Sequence, residues 1–104
     1  MVLVNYEITS YNISLYARDS NPLATVSLFL KDTTKKVQIS IHKSGSTMPP
    51  NTETSATFFV CFPDTRLASL IDLLRNEKPL YFAWDDTTKL ALVACGVEPV
   101  GEGE

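Results

Sequence analysis

With 104 residues, 44% of them hydrophobic and 20% charged, the chain has the size and composition of one folded domain and not of a disordered segment. A formal net charge of −3 argues against a general binder of nucleic acid or anionic membranes. No apolar run approaches the roughly 20 residues that a membrane helix needs.

The first residues, Met1-Val2-Leu3-Val4-Asn5-Tyr6-Glu7, lack a basic n-region and a long apolar core, so no signal peptide is expected. Val2, Val4, Tyr6 and Ile8 alternate in one phase, and Tyr11, Ile13, Leu15 and Ala17 alternate in the other. The slip falls at Thr9-Ser10, and neither residue is the Gly or Asn that a two-residue hairpin favours. One bent strand carrying a β-bulge is the preferred reading, with a break into two strands as its alternative.

Residues 18–22, ending in Pro22, form a turn. Ala24, Val26, Leu28 and Leu30 mark the next strand, and Val37, Ile39 and Ile41 the one after it. Asp32-Thr33-Thr34-Lys35 joins them. Residues 43–54 contain Gly45, Pro49 and Pro50, have no period, and read as an exposed loop. Residues 56–62 then make a strand that is apolar on both faces.

Leu67, Leu70, Ile71 and Leu74 stand at helical spacing, which predicts one amphipathic helix over about 64–76. Asp64 is expected to cap its start, and Asn76 followed by Pro79 to end it in a left-handed cap. Arg66, Ser69, Asp72 and Asn76 are assigned to the solvent face, with Asp72 set to pair with Arg75. Two further apolar runs, 80–84 and 90–95, form a C-terminal hairpin. Its turn, Asp86-Thr87-Thr88-Lys89, repeats the earlier tetrapeptide; the flanks differ, so shared turn chemistry explains the repeat better than duplication.

The fold class is therefore α+β: a bent antiparallel sheet or partial β-barrel of about five to seven strands with one helix. It occupies residues 1–97, and residues 98–104 form an acidic tail. Strands apolar on both faces need more cover than one helix supplies. Closure of the sheet on itself, or a second copy of the chain, must provide the rest.

No catalytic or metal-binding motif is present, and no cofactor is implied. His42 is the only histidine, and it is expected to face outward near a strand end, with Cys61 on a neighbouring strand. One His and two Cys without short ligand spacing cannot form a structural zinc site. Asp85-Asp86 is explained by the hairpin turn, and no glycine pattern cradles phosphate. Two cysteines in strand-like runs do not make a disulfide framework, which suits a reduced, cytoplasmic protein.

What remains is surface. Tyr16 and Phe29 lie in opposite phase to the main apolar sets of their strands. With Trp84 they are candidate anchors on the sheet face that the helix leaves uncovered. Arg18, Lys31, Lys35 and Lys36 form a candidate basic surface, and residues 18–43 carry five basic side chains against Asp19 and Asp32. The expected function is a small binding or assembly module without catalysis, forming a homo-oligomer through this face. A barrel binding a small molecule and a weak binder of single-stranded nucleic acid are the alternatives; net acidity opposes the second.

Overall fold

The computed structural model describes residues 3–96; the acidic segment 98–104 and Val2 lie outside the described residues. Seven strands and one helix follow in the order β1 (Leu3–Leu15), β2 (Ala24–Leu30), β3 (Lys36–His42), β4 (Thr52–Glu53), β5 (Thr57–Pro63), α1 (Leu67–Asn76), β6 (Leu80–Asp85) and β7 (Ala91–Cys95). They form one sheet in the spatial order β4-β5-β3-β2-β1-β6-β7. The class is α+β, with the sheet curled into a half-barrel.

The curl starts in β1. Ile8 pairs with Leu30 and Ser10 with Phe29, so Thr9 is the extra residue of a bulge, where the alternation slips. An extra residue bends the strand and increases its twist. The bulge also marks a change of neighbour: residues 3–7 pair with β6, and residues 8–15 pair with β2. A single bent strand thus belongs to both halves of the sheet.

One pairing differs from expectation. β3 and β5 run parallel, so the sheet is mixed and not wholly antiparallel. The connection over residues 43–56 is long enough to carry the chain back to the start of β3, which a short hairpin loop cannot do. Within it, Thr52 and Glu53 form β4, a short edge strand against Phe58 and Phe59.

The core fills the concave side. Ala24, Val26 and Leu28 of β2, and Val37, Ile39 and Ile41 of β3, are fully buried. Phe58 of β5 reaches across the curl to Phe82 and Trp84 of β6, with ring centroids 5.1 and 5.2 Å apart, and to Tyr6 at 6.0 Å. Aromatic pairs at such distances stabilise beyond the area they bury. Much of the cover that the apolar strands require therefore comes from the sheet itself.

The helix supplies more. A 3₁₀ turn over Asp64–Arg66 leads into α1, and the two together span the expected range. Leu70 and Leu74 are buried, each contributing about 1.5–3 kcal/mol; Leu67 and Leu73 pack half-buried against the same core. The ends differ from expectation. Asp64 does not cap the helix; its carboxylate accepts bonds from the Ser44 N–H (3.1 Å) and hydroxyl (2.5 Å). Asn76 is not left-handed: the cap is Glu77, extended at φ −110°, with its N–H on the Leu73 carbonyl. Asp72 accepts a bond from Asn76 at 2.7 Å in place of the expected Arg75 contact.

The two Asp-Thr-Thr-Lys turns are also built differently. In the first, Asp32 takes the left-handed conformation and the Lys35 N–H bonds Thr33 Oγ1. In the second, Lys89 is left-handed, and the preceding residue, Asp85, accepts the N–H groups of Thr87 and Thr88. Flanking chain, not the tetrapeptide, decides the turn.

Candidate functional site

The last strand sits at an end of the sheet, with no strand beyond it among the described residues. Its hydrogen-bonding phase follows from two contacts. The Asp85 N–H donates to the Leu90 carbonyl at 3.0 Å, and the Gly96 N–H to the Pro79 carbonyl at 2.7 Å. Bonded pairs recur at every second residue of an antiparallel ladder. In the register that sets Trp84 opposite Ala91 and Leu80 opposite Cys95, Leu90, Leu92, Ala94 and Gly96 turn their backbone groups toward β6. Ala91, Val93 and Cys95 turn theirs to the open edge. The strand ends tightly, because a Cβ on Gly96 would come within 2.7 Å of Pro79.

Beside this edge runs a groove of about 430 Å³. Residues 91–93 of β7, Leu70 and Leu73 of α1, and Phe62 and Pro63 line it. Arg66 and Ser69, read from the sequence as simply solvent-facing, also line it. The opposite face of β7 is apolar as well: Leu90 and Leu92 are 61% and 52% exposed. An edge strand apolar on both faces, without Pro, Lys or a bulge, lacks the features that keep edges unpaired.

The other open backbone is protected or polar. β4 is two residues long, follows Pro49-Pro50, and carries Glu53 in an ion pair with Lys35. Among the described residues the second half of β1 has β2 on one side only. Its outer face shows Ser10, Asn12 and Ser14, all exposed. It adjoins a cleft of about 770 Å³ lined by residues 7–11, Leu74 and residues 77–80, with Glu7, Glu77 and Lys78 among them.

The proposed anchors do not come together. Trp84 is 1% exposed and packs on Phe58 and Phe82, so it is a core residue and cannot anchor a surface contact. The sheet curl turned its phase inward. Tyr16 and Phe29 are both exposed, at opposite ends of β2: the Tyr16 hydroxyl lies 3.1 Å from Thr25 Oγ1, and Phe29 is about 13 Å farther along. Phe59, on the same convex face and 38% exposed, was hidden in a run that reads as apolar on both sides. Neutral polar residues, including Ser27, Gln38 and Ser40, separate these rings.

The basic set is dispersed. Arg18 stacks 4.6 Å over the Tyr16 ring and donates to the Pro22 carbonyl. Lys31 faces Glu7 at 4.0 Å. Lys35 pairs with Glu53 and lies 4.4 Å from the Phe58 ring centroid. Lys36 stands beside Phe29. A phosphate-tracking stripe needs bases aligned and free, whereas Lys31 and Lys35 face carboxylates and Arg18 stacks on Tyr16.

His42 is buried, against the expected outward placement, and its Nδ1 has no hydrogen-bond partner among the described residues. Bonds from Lys43 to Asn21 and from Ser44 to Asp64 draw the neighbouring loops over that strand end. Burial pushes the Cys61 thiol up, away from the thiolate that a nucleophile requires. The Thr87 N–H, aided by that of Thr88, holds the Asp85 carboxyl below the usual carboxylate range. Among the described residues no group of three or more His, Cys, Asp or Glu is placed to hold a metal ion. No helix of the described residues is long and apolar enough to cross a membrane.

No family model, curated protein or solved structure matches this chain.

Proposed function

We propose that the protein is a binding and assembly module without catalytic chemistry of its own, and that it works by strand addition at β7. An extended segment laid along the edge would bond to the outward groups of Ala91, Val93 and Cys95. Its side chains would enter the groove against α1 on one side and cover Leu90 and Leu92 on the other. Main-chain bonds supply affinity in this mode, and the flanking pockets supply selectivity. The observation that carries the reading is the two-sided apolar character of an unprotected edge strand. Two free cysteines suit a reducing compartment, and the cytoplasm is the proposed location.

The test is selection of extended peptides from a display library by the full chain, followed by amide NMR with a selected synthetic peptide. Shifts and slowed exchange at Ala91 and Val93 are expected. Peptides that perturb only the convex face around Phe29 and Phe59 would overturn the reading.

A second reading rests on the cleft beside the β1 bulge. Its volume is that of a small-molecule site, and Tyr11, Leu74 and Leu80 meet charged residues there. A small molecule retained by the purified protein in native mass spectrometry would favour it.

A further inference from the structure

Three features of β7 bear on what occupies its edge. Residues 90–96 carry no charge, so two copies of this strand can lie side by side without opposing like charges. Ala91 and Val93, which line the groove, and Cys95, which shares their face by alternation, are small enough for a second set to enter a shallow groove beside Leu73 and Ser69. On the other side large and small residues alternate, Leu92 with Ala94.

Symmetry reduces the possible registers. Antiparallel self-pairing must match outward-directed groups with outward-directed groups, which places the twofold axis at a residue of the strand, in a bonded pair at Ala91, Val93 or Cys95 or in a non-bonded pair at Leu92 or Ala94. Only an axis at Val93 overlaps the whole strand. Ala91 then faces Cys95 of the other copy, Val93 faces Val93, and Leu92 faces Ala94. Parallel self-pairing requires a translation that does not close and would generate fibres.

Resting on the reading of β7 as a strand-addition edge, we infer that its occupant is β7 of a second copy, paired antiparallel about a twofold axis through Val93. The two half-barrels become one continuous sheet. Each copy covers the other's exposed Leu92 and fills the other's groove.

Disulfide trapping in the full chain tests the register. Facing residues of a bonded antiparallel pair have Cα atoms about 5.5 Å apart, a distance that a disulfide spans. The two Cys95 residues would be about 14 Å apart, so the wild-type protein is expected to give no covalent dimer under mild oxidation. Ala91→Cys places a thiol opposite Cys95 of the other copy. It is expected to give a covalent dimer that reductant dissolves and that the double variant A91C/C95S does not form. V93C/C95S, linked once across the axis, serves if A91C fails to fold.

A folded A91C with no covalent dimer, or a dimer that persists in A91C/C95S, would overturn the inference. Strand addition itself would still stand if selected peptides protected Ala91 and Val93 in a protein that never self-links. It would fall separately if those peptides bound elsewhere.

Discussion

Phe58 and Trp84 meet with ring centroids 5.2 Å apart, although β3, β2 and β1 separate their strands in the sheet. This contact can form only if the sheet curls, so it joins the halves that the β1 bulge bends together. Trp84→Ala would leave a large cavity at the junction. A loss of about 3–5 kcal/mol is expected from urea unfolding of the full chain. An unfolding free energy within 1 kcal/mol of wild type, roughly the scatter of surface substitutions, would mean that the rings do not hold the curl.

Asn51 closes the same curl at its rim. Its Oδ1 accepts the Cys61 N–H and its Nδ2 donates to the Lys89 carbonyl, both at 3.0 Å, so one side chain ties β5 to the β6–β7 turn. Asn51→Ala leaves both backbone groups without these partners, at a cost of about 1–3 kcal/mol. Hydrogen exchange at the Cys61 amide should accelerate, while exchange in the β2–β3 ladder should change only by the global loss.

Acid should destabilise the fold through two carboxylates. The Ser44 hydroxyl holds Asp64 below its ordinary value, and the Thr87 N–H does the same for Asp85. A depressed folded-state pKa gives stability that is present above the unfolded carboxylate value, near 4, and lost as pH falls through the folded one. Thermal midpoints should therefore be flat in these terms near neutrality and drop below about pH 4. Asp64→Asn and Asp85→Asn should each shallow that drop; an unchanged acid limb would assign it to other groups.

The backbone phase of β7 makes adjacent proline substitutions unequal. Ala91 directs its N–H to the open edge, where proline is tolerated, whereas Leu92 directs its N–H into the ladder with β6. Ala91→Pro should fold and remain monomeric by light scattering at every concentration. Leu92→Pro should melt at a lower temperature than Ala91→Pro, and the reverse order would mean that the edge has been assigned to the wrong residues.

Leu92→Lys offers a milder test of the edge. A charge on a solvent-facing edge position keeps strands from pairing. Stability should stay within about 0.5 kcal/mol of wild type, and mass should not rise with concentration where the wild-type mass does.

Much of this architecture is legible along the chain because it is local. The phase slip at Thr9 located the bulge, and four leucine and isoleucine positions located the helix to within its 3₁₀ first turn. The site was less legible. Leu90 and Leu92 read as part of a buried strand, since an apolar run looks the same at the centre of a sheet as at its edge. Trp84 read as a surface anchor, because alternation separates two faces without saying which one meets the core.

The sequence by itself determined the periods, the bend, the single helix and the absence of a readable catalytic motif, all set by residues within a few positions of one another. Only the tertiary structure decided that β5 runs parallel to β3, that Phe58 and Trp84 fill the curl, and that β7 is the last strand of the sheet among the described residues. Those outcomes depend on which distant segments pack together, and loop closure and cross-sheet packing settle that between residues far apart in the chain.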